Sequence, residues 1–439
     1  MKDHTLPTTL SAWLARLETA HPVGIELGLE RVAEVARRMG LFALPLSEQV
    51  ITVAGTNGKG STVAMLEALA RAHGLTTASY TSPHLLRYNE RLRLDGQEAD
   101  DATLIAGFAA VEAARQGGEP ISLSYFEMGT LGALWAIAQQ RPELAILEVG
   151  LGGRLDAVNI IDPDVAVITT VAQDHAAFLG TDLEGIGREK AGILRAHRPA
   201  VLGSTTLPES VRQVAGKLGA EVHALGEAFH REGDGEGWRF RGPALALSAL
   251  PDPGLPLNNA AAALQALHLA GVVLEADACR RALSGVQLAG RMQWLGPWCL
   301  DVGHNPHAAH YVAQRLTALP CTGRTVGLLG MLADKDADGV IAALTPVVDT
   351  WVPVSLGGER ARTAKDLAER LAFAGVEVWH CAASPADAAG WLAARLAPED
   401  RVLVCGSFFT VAEVLEWYLA TRPGPDQTAG QATILEGLR

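Results

Sequence analysis

The chain has 439 residues, 49% of them hydrophobic, and a formal net charge of −13. That length implies two domains, and that apolar fraction excludes global disorder. An acidic balance without a Lys/Arg block argues against a nucleic-acid or membrane-surface binder.

The opening residues lack the basic-then-apolar order of a signal peptide, and no apolar run approaches a membrane span. The five cysteines (Cys279, Cys299, Cys321, Cys381 and Cys405) form no CxxC pair. This argues against a disulfide framework or a cysteine-built zinc site and fits a reducing compartment. A soluble, cytoplasmic protein is expected.

From residue 50 onward, strand-like and helical patterns alternate. Residues 50–54 (VITVA) read as a buried strand. Residues 61–73 read as a helix, with Val63, Leu66 and Leu69 at helical spacing and Gly74 as its C-cap. Strands follow at 76–80, 145–149 (AILEV) and 165–171 (VAVITTV), with a helix at 130–139. Alternation of this kind predicts a mostly parallel sheet covered on both faces. Between 221 and 257 the periodicity fades, and Trp238-Arg239-Phe240-Arg241 alternates like a small antiparallel hairpin. An alanine-rich helix is expected at 258–270. Further strands at 298–302, 325–329, 350–354 and 402–405, separated by helices at 307–318, 364–374 and 411–419, predict a second, smaller Rossmann-like α/β unit. The expected organisation is 1–290, 291–422 and a mobile tail at 423–439.

Gly55-Thr56-Asn57-Gly58-Lys59-Gly60-Ser61 follows a buried strand and opens a helix, the two contexts that a phosphate-binding loop requires. Glycines let backbone amides turn inward around phosphate oxygens. The helix N-terminus and Lys59 add positive charge. The spacing departs from GxxxxGK[ST], with two residues between Gly55 and Gly58 and a glycine between Lys59 and Ser61. A GTPase-type switch would need a base-reading NKxD-like element, and none is found.

Glu148 closes a very apolar strand, where an ionised carboxylate is costly unless it is paired or metal-bound. The glycines after it put Glu148 at the carboxyl edge of the sheet, where ligands bind in open α/β folds. His175 follows the strand VAVITTV and falls at the same edge. Oxygen-rich ligation with one imidazole, beside nucleotide phosphates, suits Mg²⁺ or Mn²⁺.

The loop is followed in order by Thr81-Ser82-Pro83-His84-Leu85, LEVGLGGRLDAVN at 147–159, Asp174-His175 and Gly187-Arg188-Glu189-Lys190-Ala191-Gly192-Ile193. Together these segments resemble the folate-glutamate ligases of the Mur ligase superfamily, over roughly residues 20–420. The whole pattern is most similar to the bifunctional bacterial members. The resemblance implies an ATP-dependent amide ligase that adds L-glutamate to dihydropteroate and further glutamates to tetrahydrofolates. Its partners would be small molecules, and a monomer is expected.

The resemblance also implies roles for residues. Lys59, Lys190 and His304 would be catalytic, with Lys190 carbamylated by CO₂. Ser82, Glu148 and His175 would ligate Mg²⁺. Gly55 to Ser61, Asn259, Arg291 and Asp301 would contact ATP. Glu26, Leu27, Gly28 and Leu29 would join Ser124, Tyr125, Phe126, Glu127, Arg154, Leu155, Asp156 and Ala157 around the pterin acid. Ser407 would face the incoming glutamate. Three departures from the family pattern stand out: Glu26 in place of Asp, Ser124 in place of Thr, and Gly303 in place of Ala within Asp301-Val302-Gly303-His304-Asn305-Pro306. Two alternatives stay open, a folylpolyglutamate synthase without the first activity and a Mur-type ligase acting on a peptidoglycan precursor. The second should lack the 25–31 and 124–126 segments. A non-enzymatic nucleotide-binding protein would need neither Lys190 nor the Glu148/His175 pair.

Overall fold

The computed structural model describes residues 6–19, 21, 27–358 and 360–421. Glu26 and the expected tail at 423–439 lie outside the described residues. The chain divides into two compact units, Met1–Val286 and Gln287–Arg439.

The first unit contains β1 (Gln49–Ala54), β2 (Thr77–Tyr80), β3 (Leu92–Leu94), β4 (Gln97–Glu98), β5 (Leu144–Glu148), β6 (Val165–Ile168), β7 (Pro199–Leu202) and β8 (Glu221–Ala224). They form one sheet in the order β4-β3-β2-β5-β1-β6-β7-β8. Strands β2, β5, β1, β6, β7 and β8 run parallel, and β3 and β4 form an antiparallel edge. Parallel strands covered on both faces must be apolar on both, which is why VITVA and LAILE are continuous hydrophobic runs. Ala145 and Leu147 of β5 enter one hydrophobic cluster together with residues of the helices Leu10–Glu18, Glu30–Arg38, Asp101–Gln116 and Tyr125–Gln140. The helix Lys59–Ala72 packs against Leu257–Leu269 and Ala276–Gly285.

A three-stranded antiparallel sheet follows, made of β9 (His230–Glu232), β10 (Trp238–Gly242) and β11 (Leu245–Leu250). Its alternation is the expected one: Trp238 and Phe240 are buried, while Arg239 and Arg241 face solvent. Trp238 Nε1 donates to the Pro251 carbonyl at 2.8 Å, so the buried indole keeps a hydrogen-bond partner.

The second unit holds β12 (Gln293–Leu295), β13 (Trp298–Leu300), β14 (Thr325–Leu329), β15 (Thr350–Pro353) and β16 (Arg401–Cys405) in the order β12-β13-β16-β14-β15. All pairs but β12–β13 are parallel. The fold is thus the expected α/β pair, a large mostly parallel sheet and a smaller α/β domain.

Element ends differ from the sequence reading for local reasons. β6 stops at Ile168 because Thr169 and Thr170 turn their hydroxyls onto the neighbouring loop. β13 stops at Leu300 because Asp301 caps its own exit, accepting from Gly303 N at 2.8 Å and Met292 N at 3.0 Å. No described helix is long and apolar enough to cross a membrane.

Candidate functional site

In the first unit, β1 lies between a wing formed by β5 and β2 and a wing formed by β6, β7 and β8. The chain winds in opposite directions on either side of β1, so its carboxyl end opens the crevice where such sheets bind ligands. The loop Gly55–Ser61 leaves from that end, and the helix Lys59–Ala72 begins inside it. Gly58 has φ +87°, and a Cβ there would lie 2.5 Å from Asn259 Nδ2. Only glycine meets both demands. Asn259 is buried and donates to Ser61 Oγ at 2.8 Å and to the Gly58 carbonyl at 3.4 Å. Lys59 Nζ donates to the carbonyls of Gly55 at 3.0 Å and Thr56 at 3.4 Å, so its cation sits over the loop rather than in solvent.

Two threonines that the sequence reading did not single out hold this loop. Thr56 N donates to the Thr170 carbonyl at 2.8 Å, and Asn57 N donates to Thr170 Oγ1 at 3.0 Å. The Asn57 carbonyl accepts from Thr169 Oγ1 at 2.7 Å and Thr170 Oγ1 at 3.0 Å. Threonine pairs at a strand end read as more strand, which hides them in the sequence.

Glu148 ends β5 almost fully buried, and the Ser82 amide donates to its Oε2 at 3.2 Å. Those two residues therefore meet. His175 is half-buried beyond the exit of β6, at φ +50°, and starts the short helix Ala176–Leu179. Asp174 Oδ1 accepts from the His175 amide at 2.8 Å. No group of three or more His, Cys, Asp or Glu gathers to hold a metal among the described residues.

Lys190 lies in the helix Leu183–Ala191 and is 3% exposed. Burial pushes its ammonium down to about 7, and the nearby cation of Lys59 pushes the same way. Asp174 and Asp156 oppose them. Burial raises Asp156 to about 6, although it accepts from Leu151 N at 2.8 Å and Val158 N at 3.0 Å. Lys59, Lys190, Asp156 and Asp174 thus share one electrostatic neighbourhood. The 150–159 segment is strapped to the lysine helix. Arg154 N donates to the Glu189 carbonyl at 2.8 Å, and Asn159 Nδ2 reaches the Arg154 and Gly192 carbonyls at 3.1 Å each. A Cβ on Gly153 would meet the Glu189 carbonyl at 2.7 Å, so the two backbones touch.

The residues expected around a pterin fall in several different settings. Phe126 is half-buried, 6.4 Å from the Tyr80 ring, and so close over Gly150 that a Cβ there would lie 2.6 Å from its ring. Asp156 and Ala157 are buried at the start of a short 3₁₀ turn. Ser124 and Glu127 close the N-terminus of the helix Tyr125–Gln140 as a capping box, and Glu127 also pairs with Arg31 at 2.8 Å. Tyr125 packs edge-on to Tyr88, with Arg91 over its ring. Leu27, Arg154 and Leu155 line a separate open groove of about 600 Å³ with Phe178, Leu179 and Arg188. Gly28 and Leu29 lead into the helix Glu30–Arg38. A larger groove, about 730 Å³, lies by Gln49 and Glu143 at the opposite edge of the sheet and contains none of these residues.

In the second unit, Arg291 lies over the Phe408 ring at 5.3 Å and His304 faces the same ring at 6.4 Å. Asp301 is buried, and burial raises its carboxyl while Arg291 pulls it back. His304 Nδ1 donates to the Val302 carbonyl at 3.0 Å, which leaves Nε2 as the other ring nitrogen. Ser407 Oγ accepts from Thr410 N at 3.0 Å and caps the helix Phe408–Thr421. Phe408, absent from the expected set, is the ring around which Arg291 and His304 gather.

Two family models match the chain, the Mur ligase middle domain over residues 53–230 and the Mur ligase glutamate ligase domain over 290–408. A dihydrofolate synthase/folylpolyglutamate synthase of Escherichia coli is 45% identical over 94% of this chain and 97% of its own. The chain belongs to that family of Mur ligases. Two solved structures of family members bear on the site. Escherichia coli FolC in complex with DHPP and ADP superposes with a TM-score of 0.90 at 45% identity, covering 94% of this chain and 99% of that one. A bifunctional folylpolyglutamate synthase/dihydrofolate synthase with Mn, AMPPNP and L-glutamate bound gives 0.85 at 44% identity, covering 94% of this chain and 99% of that one. The expected class, a Mur-type ligase of the dihydrofolate synthase/folylpolyglutamate synthase kind, is the one that the matched models and the relatives' names carry.

Proposed function

We propose that this chain joins L-glutamate to dihydropteroate, forming dihydrofolate, and adds further glutamates to tetrahydrofolates, each time through an acyl phosphate. A carboxylate is a poor acyl donor because oxide would have to leave. In the first step a carboxylate oxygen attacks the γ-phosphorus of ATP, and the bond to the ADP oxygen breaks. In the second, the glutamate amine attacks the acyl carbon, and phosphate departs with the electron pair.

The protein's part is positioning and charge stabilisation. Lys59 and the amides at the start of the helix Lys59–Ala72 neutralise the transferring phosphoryl group. Asn259, through Ser61, fixes the loop. Arg291 and Asp301 hold the nucleotide. His304, with Nδ1 held on the Val302 carbonyl, takes the proton from the incoming ammonium at Nε2, and Ser407 lines the glutamate side. Phe126, Asp156 and Ala157 hold the pterin of dihydropteroate, and the separate groove lined by Leu27, Arg154 and Leu155 offers the substrate a second surface.

One hydroxyl, one carboxylate and one imidazole (Ser82, Glu148, His175) fit a hard divalent cation and would hold it beside the phosphates. Bound there, Mg²⁺ would supply Lewis-acid neutralisation of phosphate charge. Lys190 would carry a carbamate. Its neutral amine, favoured by burial and by Lys59, adds to CO₂ and loses a proton. The chain would act as a monomer on small-molecule substrates.

The single observation that carries this reading is the buried Lys190 amine beside Lys59, Asp156 and Asp174 at the edge where the phosphate loop opens. The test is phosphate release from ATP by purified protein given glutamate with dihydropteroate, with tetrahydrofolate, or with a peptidoglycan precursor. Release with the first two and not the third is expected. Release with tetrahydrofolate alone would leave the monofunctional reading.

A further inference from the structure

The phosphate loop has a short, irregular spacing, and Gly58, which precedes its helix, offers no side-chain cap. Something else must fix its shape. Asn57 has both backbone polar groups taken: its N–H by Thr170 Oγ1, its carbonyl by the hydroxyls of Thr169 and Thr170. One peptide back, Thr56 N is held by the Thr170 carbonyl, and Thr56 Oγ1 both accepts from Ala172 N and donates to the Ala172 carbonyl, each at 3.0 Å. These bonds turn the first half of the loop toward the exit of β6. The amides at the start of the helix, which have no intrahelical acceptor, are left to face an anion. The same β6 exit runs on through Asp174 to His175 within five residues of Thr170.

We propose that Thr170, seconded by Thr169, is a positioning residue for phosphoryl transfer, fixing the phosphate loop against the arm that carries Asp174 and His175. Thr170 would act through the loop that it holds. Its single hydroxyl accepts from the Asn57 N–H and donates to the Asn57 carbonyl, groups of the two successive peptides that flank the Asn57 Cα, so it sets the orientation of both planes and with it the direction of the amides that follow. Valine keeps the shape of threonine and removes both bonds. Serine keeps both bonds and removes a methyl group. The proposal rests on the reading of the loop as the ATP phosphate site.

The test compares Thr170→Val, Thr170→Ser and Lys59→Ala in the full chain, with steady-state kinetics in ATP, glutamate and dihydropteroate, ADP binding by calorimetry, and thermal melting. Thr170→Val should lose about tenfold or more in kcat/KM for ATP and weaken ADP binding, with KM for glutamate unchanged. Its melting temperature should stay within a few degrees of the parent, and Thr170→Ser should recover most of the loss. Parent-like ATP kinetics in Thr170→Val would overturn the proposal. So would an equal loss in Thr170→Ser, or a Thr170→Val chain that fails to fold, since the hydroxyl would then be holding the domain rather than the loop. If Lys59→Ala also keeps parent-like ATP kinetics, it is the phosphate-loop reading that fails.

Discussion

Asn259 reaches across 198 positions of sequence to donate its side-chain amide to Ser61 Oγ at 2.8 Å. The bond ties the helix Leu257–Leu269 to the first turn of the phosphate-loop helix, and both partners are buried. Asn259→Ala leaves the Ser61 hydroxyl short of a donor, a loss of about 1–2 kcal/mol. KM for ATP should rise about tenfold, while the melting temperature falls by a few degrees. Steady-state kinetics beside a thermal melt check it, and a change in melting temperature alone would reduce Asn259 to a packing residue.

Glu148→Gln and His175→Ala should each raise the magnesium concentration needed for half-maximal activity by about tenfold or more. Neither should shift thermal stability as strongly, because the lost groups serve a cation and not the core. Magnesium titrations of both variants check this, and parent-like titrations would remove the metal assignment.

The Lys190 amine sits at about 7, against its ordinary 10.5. Below about pH 7 the folded protein buries an ammonium. Between about 7 and 10.5 the unfolded chain holds a proton that the folded one has released, so this group's contribution to stability rises with pH through that window. In metal-free, CO₂-free buffer, Lys190→Met should therefore stabilise the protein most below pH 7, with the advantage shrinking toward pH 10. Melts of both proteins across that range are the measurement, and an advantage that grows with pH would contradict the buried-ammonium account. Bicarbonate should raise parent activity and leave Lys190→Met unmoved.

The tip of the Phe126 ring lies against Gly150 beside Tyr80, and its substitution should separate the two additions. A tetrahydrofolate is longer than dihydropteroate by one glutamyl unit. With the reacting carboxylate fixed, its pterin must sit elsewhere. Phe126→Ala should cost about tenfold or more in kcat/KM for dihydropteroate and only a few-fold for tetrahydrofolate. Equal losses would defeat the idea of separate ring positions.

Much of this was legible in the sequence because buried parallel strands are short continuous apolar runs and because the loop glycines stand between a strand and a helix. VITVA, AILEV and TVGLL became β1, β5 and β14 with small shifts at their ends. β7 and β8, four residues each, are too short to carry a period of their own. Ser124-x-x-Glu127 carries the spacing of a capping box, and the structure uses it as one, whatever else those residues do. Thr169 and Thr170 were not legible at all, because a β-branched pair after VAVI extends the strand on paper and leaves it in the fold.

The central claim, that one acyl phosphate links ATP to the amide, is tested most directly by label transfer. Dihydropteroate with heavy oxygen in its carboxylate is incubated with the purified protein, ATP, Mg²⁺ and glutamate, and the released phosphate is analysed by mass. One labelled oxygen in each phosphate, formed in step with dihydrofolate, is the predicted result. Unlabelled phosphate alongside labelled dihydrofolate would contradict the account.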